Sequence, residues 1–345
     1  KSQREMLTPQ MLRYDDFDDR AETRYLPYLM YFHRAEYRSA TINTDRLGFR
    51  ISHGAAGPGS VANPPKGPVR LLAGSSTPFG IGATGDGATM ASRLWSRYAP
   101  SVPWLNFAGR SHNSMQELLL FLMHRELVPE IDEIVVFSGL NDLALSRLPD
   151  AQRGDHGGFF NCGEYFDQME ELRASHRKAK RGFGRRAAGP EGEPHVVPPL
   201  ADRITYAVNL TSRHLAALRL LAGPSGARIT YVLQPLATWV RESGSPEEKA
   251  VFGELDDISN FWELYGDIAT LETGRRYADA LRVACEAQDV RFLDMSPVLA
   301  ESVTGNDWLY VDRGAAERLD ALAVGGGGGV DVAGDGGGAD EGDGR

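Results

Sequence analysis

The sequence predicts an α/β protein, a three-layer α/β/α sandwich around a parallel, flavodoxin-like sheet of about five strands. Three observations predict it. Short apolar runs recur along the chain, amphipathic helical stretches separate them, and small or glycine-containing turns end the first three runs. A strand buried on both faces reads as a continuous apolar run, and helices between such strands make the sheet parallel.

The expected strands are "VRLLAG" (69–74), "VPWLNFA" (102–108), "EIVVFSG" (133–139), "ARITYVLQP" (227–235) and "VRFLDMS" (290–296). Between them, apolar residues at helical spacing predict helices in "GATMASRLWSRYA" (87–99), "SMQELLLFLMHREL" (114–127), "RITYAVNLTSRHLAALRLLA" (203–222) and "GRRYADALRVACEAQ" (274–288). Crossovers between such strands are right-handed.

The remaining segments divide the chain. Residues 1–66 form an N-terminal arm and a Gly/Pro loop; 67–322 form the α/β domain, with an insertion at 143–200; 323–345 form a disordered tail. The arm is charged and aromatic, and either packs on the domain or covers it as a lid. Within it "NTDRLGFRIS" (43–52) reads as a short edge strand. The insertion carries a basic strip, "RASHRKAKRGFGRR" (173–186), inside an acidic protein. It is either a solvated excursion or a docking strip for an acidic partner or a phosphate-bearing carrier. From Val324 to Gly344 every residue is Val, Gly, Asp, Ala or Glu, the five whose codons begin with G. Either a native low-complexity tail or a shifted reading frame beginning near Asp312–Gly314 produces that pattern.

The chain has 345 residues, 42% hydrophobic and 24% charged, with a formal net charge of −10, which argues against a nucleic-acid surface. No apolar run approaches the roughly 20 residues that span a bilayer, so no membrane partner is expected. The start, "KSQREMLTPQ", carries no signal-peptide core. Cys162 and Cys285 lie far apart and give neither a disulfide framework nor metal-ligand spacing. A cytoplasmic protein is the expectation. The abundance of Ala, Gly and Arg points to a GC-rich bacterial gene.

In an open parallel sheet, ligands bind beyond the carboxyl ends of the strands. The first strand ends at Gly74-Ser75-Ser76-Thr77, the second at Gly109 in "NFAGRSHNS", the third at Gly139-Leu140-Asn141-Asp142. Each has a plain reading: Ser76 caps a turn, Gly109 ends a strand, Asn141-Asp142 is a turn pair. Their order on successive strands resembles the SGNH hydrolase (GDSL esterase) superfamily. In that family a strand-end serine is the nucleophile, and a glycine and a G-x-N-D asparagine complete an oxyanion hole. The resemblance implies a serine hydrolase or acyltransferase of the esterase, thioesterase or deacetylase class, acting on a small or carrier-bound acyl substrate. It implies no cofactor or metal. Ser76 would attack; the backbone N–H groups of Ser76 and Gly109 and the Asn141 amide would hold the oxyanion. Asp142 would tie the loop; Gln234, at the end of the fourth strand, either contacts substrate or makes a structural turn, and His112, nearest the site rim, either contacts substrate or starts a helix.

One part of the pattern departs. The family closes its triad with Asp-x-x-His near the C-terminus. Here Asp312 is present, but position 315 is Ala, and no histidine follows His214. Either the histidine was overwritten by a frameshift, or the chain is a non-catalytic binding relative, or another histidine such as His112 serves. The aromatic stretch "FWELYGDIATLETG" (261–274) either lines an acyl pocket or is core.

Overall fold

Apolar side chains on both faces of a strand require both faces of the sheet to be covered, and that requirement sets the architecture. The computed structural model describes residues 2–17, 23–180 and 196–308. The chain opens with helices α1 (Gln3–Leu7) and α2 (Met11–Phe17) and two hairpins, β1–β2 (Arg24–Leu26, Met30–Phe32) and β3–β4 (Ser52–Gly54, Gly57–Gly59). Then follow β5 (Val69–Gly74), α3 (Ser76–Phe79), α4 (Met90–Arg93), β6 (Trp104–Ala108), α5 (Ser114–His124), β7 (Ile131–Ser138), α6 (Leu140–Leu145), α7 (Asp150–Arg153) and α8 (Cys162–Lys180). After α9 (Leu200–Ala222) come β8 (Arg228–Leu233), α10 (Ala237–Val240), α11 (Pro246–Ser259), α12 (Phe261–Tyr265), α13 (Leu271–Glu286), β9 (Arg291–Asp294) and α14 (Met295–Ser302).

The five long strands form one sheet in the order β6-β5-β7-β8-β9, every pair parallel. Side-chain parity divides its faces. Leu71 and Ala73 of β5 join the core under α5, α9 and α13, whereas Leu72 between them joins Trp95, Val240 and Leu299 on the other side. The result is a three-layer α/β/α sandwich. Gly74 pairs with Ala108 of β6 and Phe137 of β7, so three strands end level at the carboxyl edge.

Two segments differ from expectation, each for a local reason. The helix predicted at 87–99 is broken into a 3₁₀ turn (Asp86–Ala88), α4 and a π-wound turn (Leu94–Tyr98). Thr89 caps α4, accepting the Ser92 N–H on its side chain. The segment 43–52 is not an edge strand. It makes only isolated bridges (Arg38 with Asn43, Thr44 with Arg50), because the Asp45 carboxylate gathers the N–H groups of Leu47, Phe49 and Ala62 and coils the chain.

The arm is packed on the domain. The Gln3 and Arg4 N–H groups donate to Glu254 of α11 at 2.6 and 2.9 Å. The Tyr14 hydroxyl sits 2.7 Å from the carbonyls of Gly80 and Ala83, and the Tyr31 hydroxyl donates to Ser111 O at 2.8 Å. Asp312, the tail, and the end of the basic strip beyond Lys180 lie outside the described residues. Among the described residues no helix is long and apolar enough to cross a membrane.

Candidate active site

The chain turns sharply out of β5 because Gly74 has φ +138°, and a Cβ there would lie 2.0 Å from Phe137 O. Of the three hydroxyl residues that follow, two are committed to the interior. Ser75 is buried and its Oγ donates to Gln234 Oε1 at 3.1 Å; Thr77 is also buried. Ser76 alone is partly exposed, at the first position of α3. It is not a helix cap: the N-cap is Ser75, which makes no side-chain cap bond. No partner to Ser76 Oγ is found among the described residues.

Behind the serine, α3 is pinned by Arg50, which is fully buried. Its guanidinium donates to Asp86 Oδ1 (2.8 Å), Thr41 O (2.7 Å), Gly80 O (2.8 Å), Phe79 O (3.2 Å) and the Tyr14 hydroxyl (3.0 Å). The carbonyls at the C-terminal end of α3 have no helical partners of their own, and the guanidinium supplies donors. Asn43 holds the second Asp86 oxygen. The role of "NTDRLGFR" is thus to fix the back of the serine turn, through Asn43 and Arg50.

The β6–α5 turn departs from the roles the resemblance assigns. The Gly109 N–H is already engaged, donating to Gly74 O at 2.9 Å. The Arg110 N–H donates to His33 Nε2 at 2.9 Å, and the His112 N–H to Gly109 O at 3.0 Å. The Asn113 N–H reaches Gln116 Oε1. Only the Ser111 N–H has no partner in this turn among the described residues. Ser111 has φ +59°, a strained value for serine, and Tyr31 holds its carbonyl. Glycine at 109 serves a different need: a Cβ there would sit 1.8 Å from His112 Nδ1. Gly109→Ala is expected to destabilise the fold by about 1–3 kcal/mol through this overlap, and His112→Ala should recover much of the loss in the double variant. Chemical denaturation of the four proteins measures the coupling.

His112 is not at the rim of the cleft. It is wholly buried, and Nε2 must donate to Tyr31 O at 3.0 Å, which leaves Nδ1 unprotonated and without a partner. Burial pulls its pKa down to about 4, so the ring is neutral. His33 is similarly occupied, between Gly48 O and the Arg110 N–H, and burial holds its pKa well below the ordinary value. Gln234, expected to face substrate, is buried; it ties the Ser75 side chain to β7 through its own N–H on Ser138 O at 2.8 Å.

On the third turn Asn141 is half-buried and donates one amide hydrogen to His112 O at 2.7 Å, leaving the other to point elsewhere. Asp142 ties the loop, accepting from the Ser114 side chain (3.0 Å) and N–H (3.3 Å). Ser114 Oγ also lies 2.7 Å from His214 Nδ1. Glu117 accepts from Ser138 Oγ at 2.5 Å. Burial, then the charge of Asp142, pushes Glu117 up to about 8, and burial pushes Asp142 up to about 6. Burial pulls His214 down to about 4. A cavity of about 30 Å³, the room of one water, lies between Ser114, Glu117, His214 and Tyr231.

Two larger spaces frame the sheet. Of the aromatic stretch, Phe261 and Tyr265 pack on the core, while Trp262 is 46% exposed and lines a space of about 300 Å³ with Ala237, Thr238 and Phe252. The other, about 700 Å³, is at the amino edge, opposite the three turns. Arg70 and Arg228 there face Asp132 and Glu133, Arg70 lying 2.6 Å from Asp132, and helices α9 and α13 end there. It reads as a charge-balanced base of the sheet.

No family model matches the chain, and no curated protein matches it. Among solved structures it is similar to a GDSL-like lipase from Bacteroides thetaiotaomicron, with 12% identity over 74% of this chain and 84% of that one, TM-score 0.37. It is similar to an extracellular lipase from Streptomyces rimosus, with 12% identity over 74% and 97%, TM-score 0.39. An acetyl xylan esterase, AlAXEase, aligns at 9% identity over 74% and 96%, TM-score 0.37. In its own strand order, β6-β5-β7-β8-β9, the sheet is flavodoxin-like, and the G-S-S-T, glycine and G-L-N-D turns lie at its carboxyl edge.

Proposed function

We propose that the protein is a serine hydrolase or acyltransferase of the esterase, thioesterase or deacetylase class, with Ser76 as nucleophile. The observation that carries this reading is the selective exposure of Ser76 between buried Ser75 and Thr77, on a turn that only glycine at 74 permits. Attack on an ester or thioester carbonyl builds negative charge on oxygen. Each donor aimed at that charge is worth on the order of 3 kcal/mol. We assign the donors to the Ser76 N–H, the free hydrogen of the Asn141 amide and the Ser111 N–H, the last in place of the engaged Gly109.

A serine hydroxyl needs a base to lose its proton. His33 and His112 are held by other groups and no histidine follows His214, so in this reading the base is the histidine that the family pattern places three residues after Asp312, overwritten in this sequence by a shifted reading frame. The commitment of those two histidines favours one second reading, a non-catalytic binding protein that keeps the cleft and lacks the base. Labelling with a fluorophosphonate probe separates the two. An enzyme is labelled, and Ser76→Ala abolishes the label while leaving the fold intact. Absence of label on the native chain, or label that survives Ser76→Ala, removes the hydrolase reading.

A further inference from the structure

His214 falls on the buried face of α9, one turn from Leu210 and from Leu218. A histidine enclosed on such a face needs a partner for its ring nitrogens. Here the partner is Ser114, the first residue of α5, whose Oγ lies 2.7 Å from His214 Nδ1. The same hydroxyl and the Ser114 N–H meet Asp142 Oδ1 at 3.0 and 3.3 Å. The carboxylate thus sits at the positive end of α5, and it adjoins Asn141 in the chain.

Proton bookkeeping fixes the direction of this chain of bonds. An ionised carboxylate only accepts, so the single Ser114 hydroxyl proton goes to Asp142. The serine oxygen then accepts from His214, which must carry its hydrogen on Nδ1. Nε2 is left as a lone pair, without a partner among the described residues. The neutral ring fits, because burial pulls its pKa down to about 4. A protonated Asp142 inverts every link. Its Oδ1–H donates to Ser114 Oγ, the serine proton turns to His214 Nδ1, and the ring carries its hydrogen on Nε2 instead.

We propose that His214, Ser114 and Asp142 form a proton relay through which the buried carboxyl beside Asn141 exchanges its proton. A proton bonds to His214 Nε2, the Nδ1–H bond breaks toward Ser114 Oγ, and the Ser114 O–H bond breaks toward Asp142 Oδ1. Histidine and serine end neutral, as they began, and the change of charge falls on Asp142 alone. The exposed His156 ring, stacked on His214 at 6.3 Å between centroids, marks the outer end. Without such a path, an enclosed carboxyl trades its proton only when the fold opens locally. The groups facing the relay are Glu117 from α5, Tyr231 from β8, Tyr277 from α13, Tyr206 and Arg213 from α9 itself, and His156 from the turn after α7. Burial, then Asp142, holds the proton on Glu117 up to about 8, and burial keeps Tyr231 and Tyr277 well above the usual phenol value. Burial pushes Asp142 itself up to about 6, so it is the member that ionises near neutrality.

The tautomer of His214 is the reading that tests this. In the isotope-labelled full chain, the ring NMR correlations of His214 should show Nδ1–H at about pH 8 and Nε2–H at about pH 5, the ratio of the two moving at least tenfold. The Asp142 carboxyl signal should titrate at the same midpoint. Ser114→Ala breaks the middle link, so the His214 tautomer should no longer follow Asp142. Ser114→Thr keeps a hydroxyl and should restore the coupling. A ring that holds one tautomer across the range, that becomes doubly protonated at the Asp142 midpoint, or that still inverts in Ser114→Ala overturns the proposal. These signals are independent of Ser76 labelling, so the hydrolase reading stands or falls separately.

Discussion

Arg50→Ala is expected to cost the domain roughly 3–5 kcal/mol, the usual penalty for breaking a buried ion pair by removing one partner. Asp86 would be left buried with its charge opposed only by the Asn43 amide and backbone donors. The carbonyls of Thr41, Phe79 and Gly80 would lose donors in a site where water does not reach them. Arg50→Lys keeps the charge but places one compact ammonium where a planar fork serves several acceptors, so it should recover only part of the loss. Urea denaturation with an unchanged m-value measures the difference. Because two of the acceptors, the carbonyls of Phe79 and Gly80, lie on or beside α3, the Arg50→Lys protein should also label more slowly at Ser76 than its residual stability alone implies. A loss below about 1 kcal/mol for Arg50→Ala would be no more than an ordinary net hydrogen bond and would refute the hub.

The second large effect is a dependence of stability on pH set by Glu117. Its folded pKa is raised from 4.5 to about 8, first by burial and then by Asp142. In the unfolded chain the proton leaves near the ordinary value; in the fold it stays until the pH approaches the raised one. Between those limits the folded state holds more protons, so stability falls as pH rises through the window and levels off above it. At about 1.4 kcal/mol per pH unit, a few kcal/mol are at stake. Glu117→Gln imitates the protonated acid and keeps an oxygen for the Ser138 hydroxyl. It should match the native chain below the window, exceed its stability above pH 8, and flatten the profile. Thermal midpoints of both proteins across that range decide it: parallel curves would mean the carboxyl is ionised in the fold throughout.

The sheet was legible in the sequence because a strand buried on both faces is written in its own residues. "EIVVFSG" and "ARITYVLQP" needed no context, and they form the neighbouring parallel strands β7 and β8. What escaped was set by distant contacts. Nothing near Gly109 announces that its N–H closes on Gly74, or that the ring of His112 lies against its Cα. His112 looked accessible because the β1–β2 hairpin that covers it comes 81 residues earlier in the chain. "NTDRLGFR" alternates well enough to suggest a strand, yet the Asp45 carboxylate outcompetes ladder pairing by taking three N–H groups. The site was read at the level of turns; the donors within those turns were not.

The tether between the Arg4 N–H and Glu254 spans 250 positions, and it has a consequence for biosynthesis. The arm leaves the ribosome well before α11, so its contact with Glu254 is made late. Until α11 emerges, the aromatic arm has only part of its seat, and the rim it forms around the serine turn stays unfastened. Strands β5, β6 and β7 can therefore pair while the mouth above them is still open, and that mouth is fastened only when α11 reaches the arm.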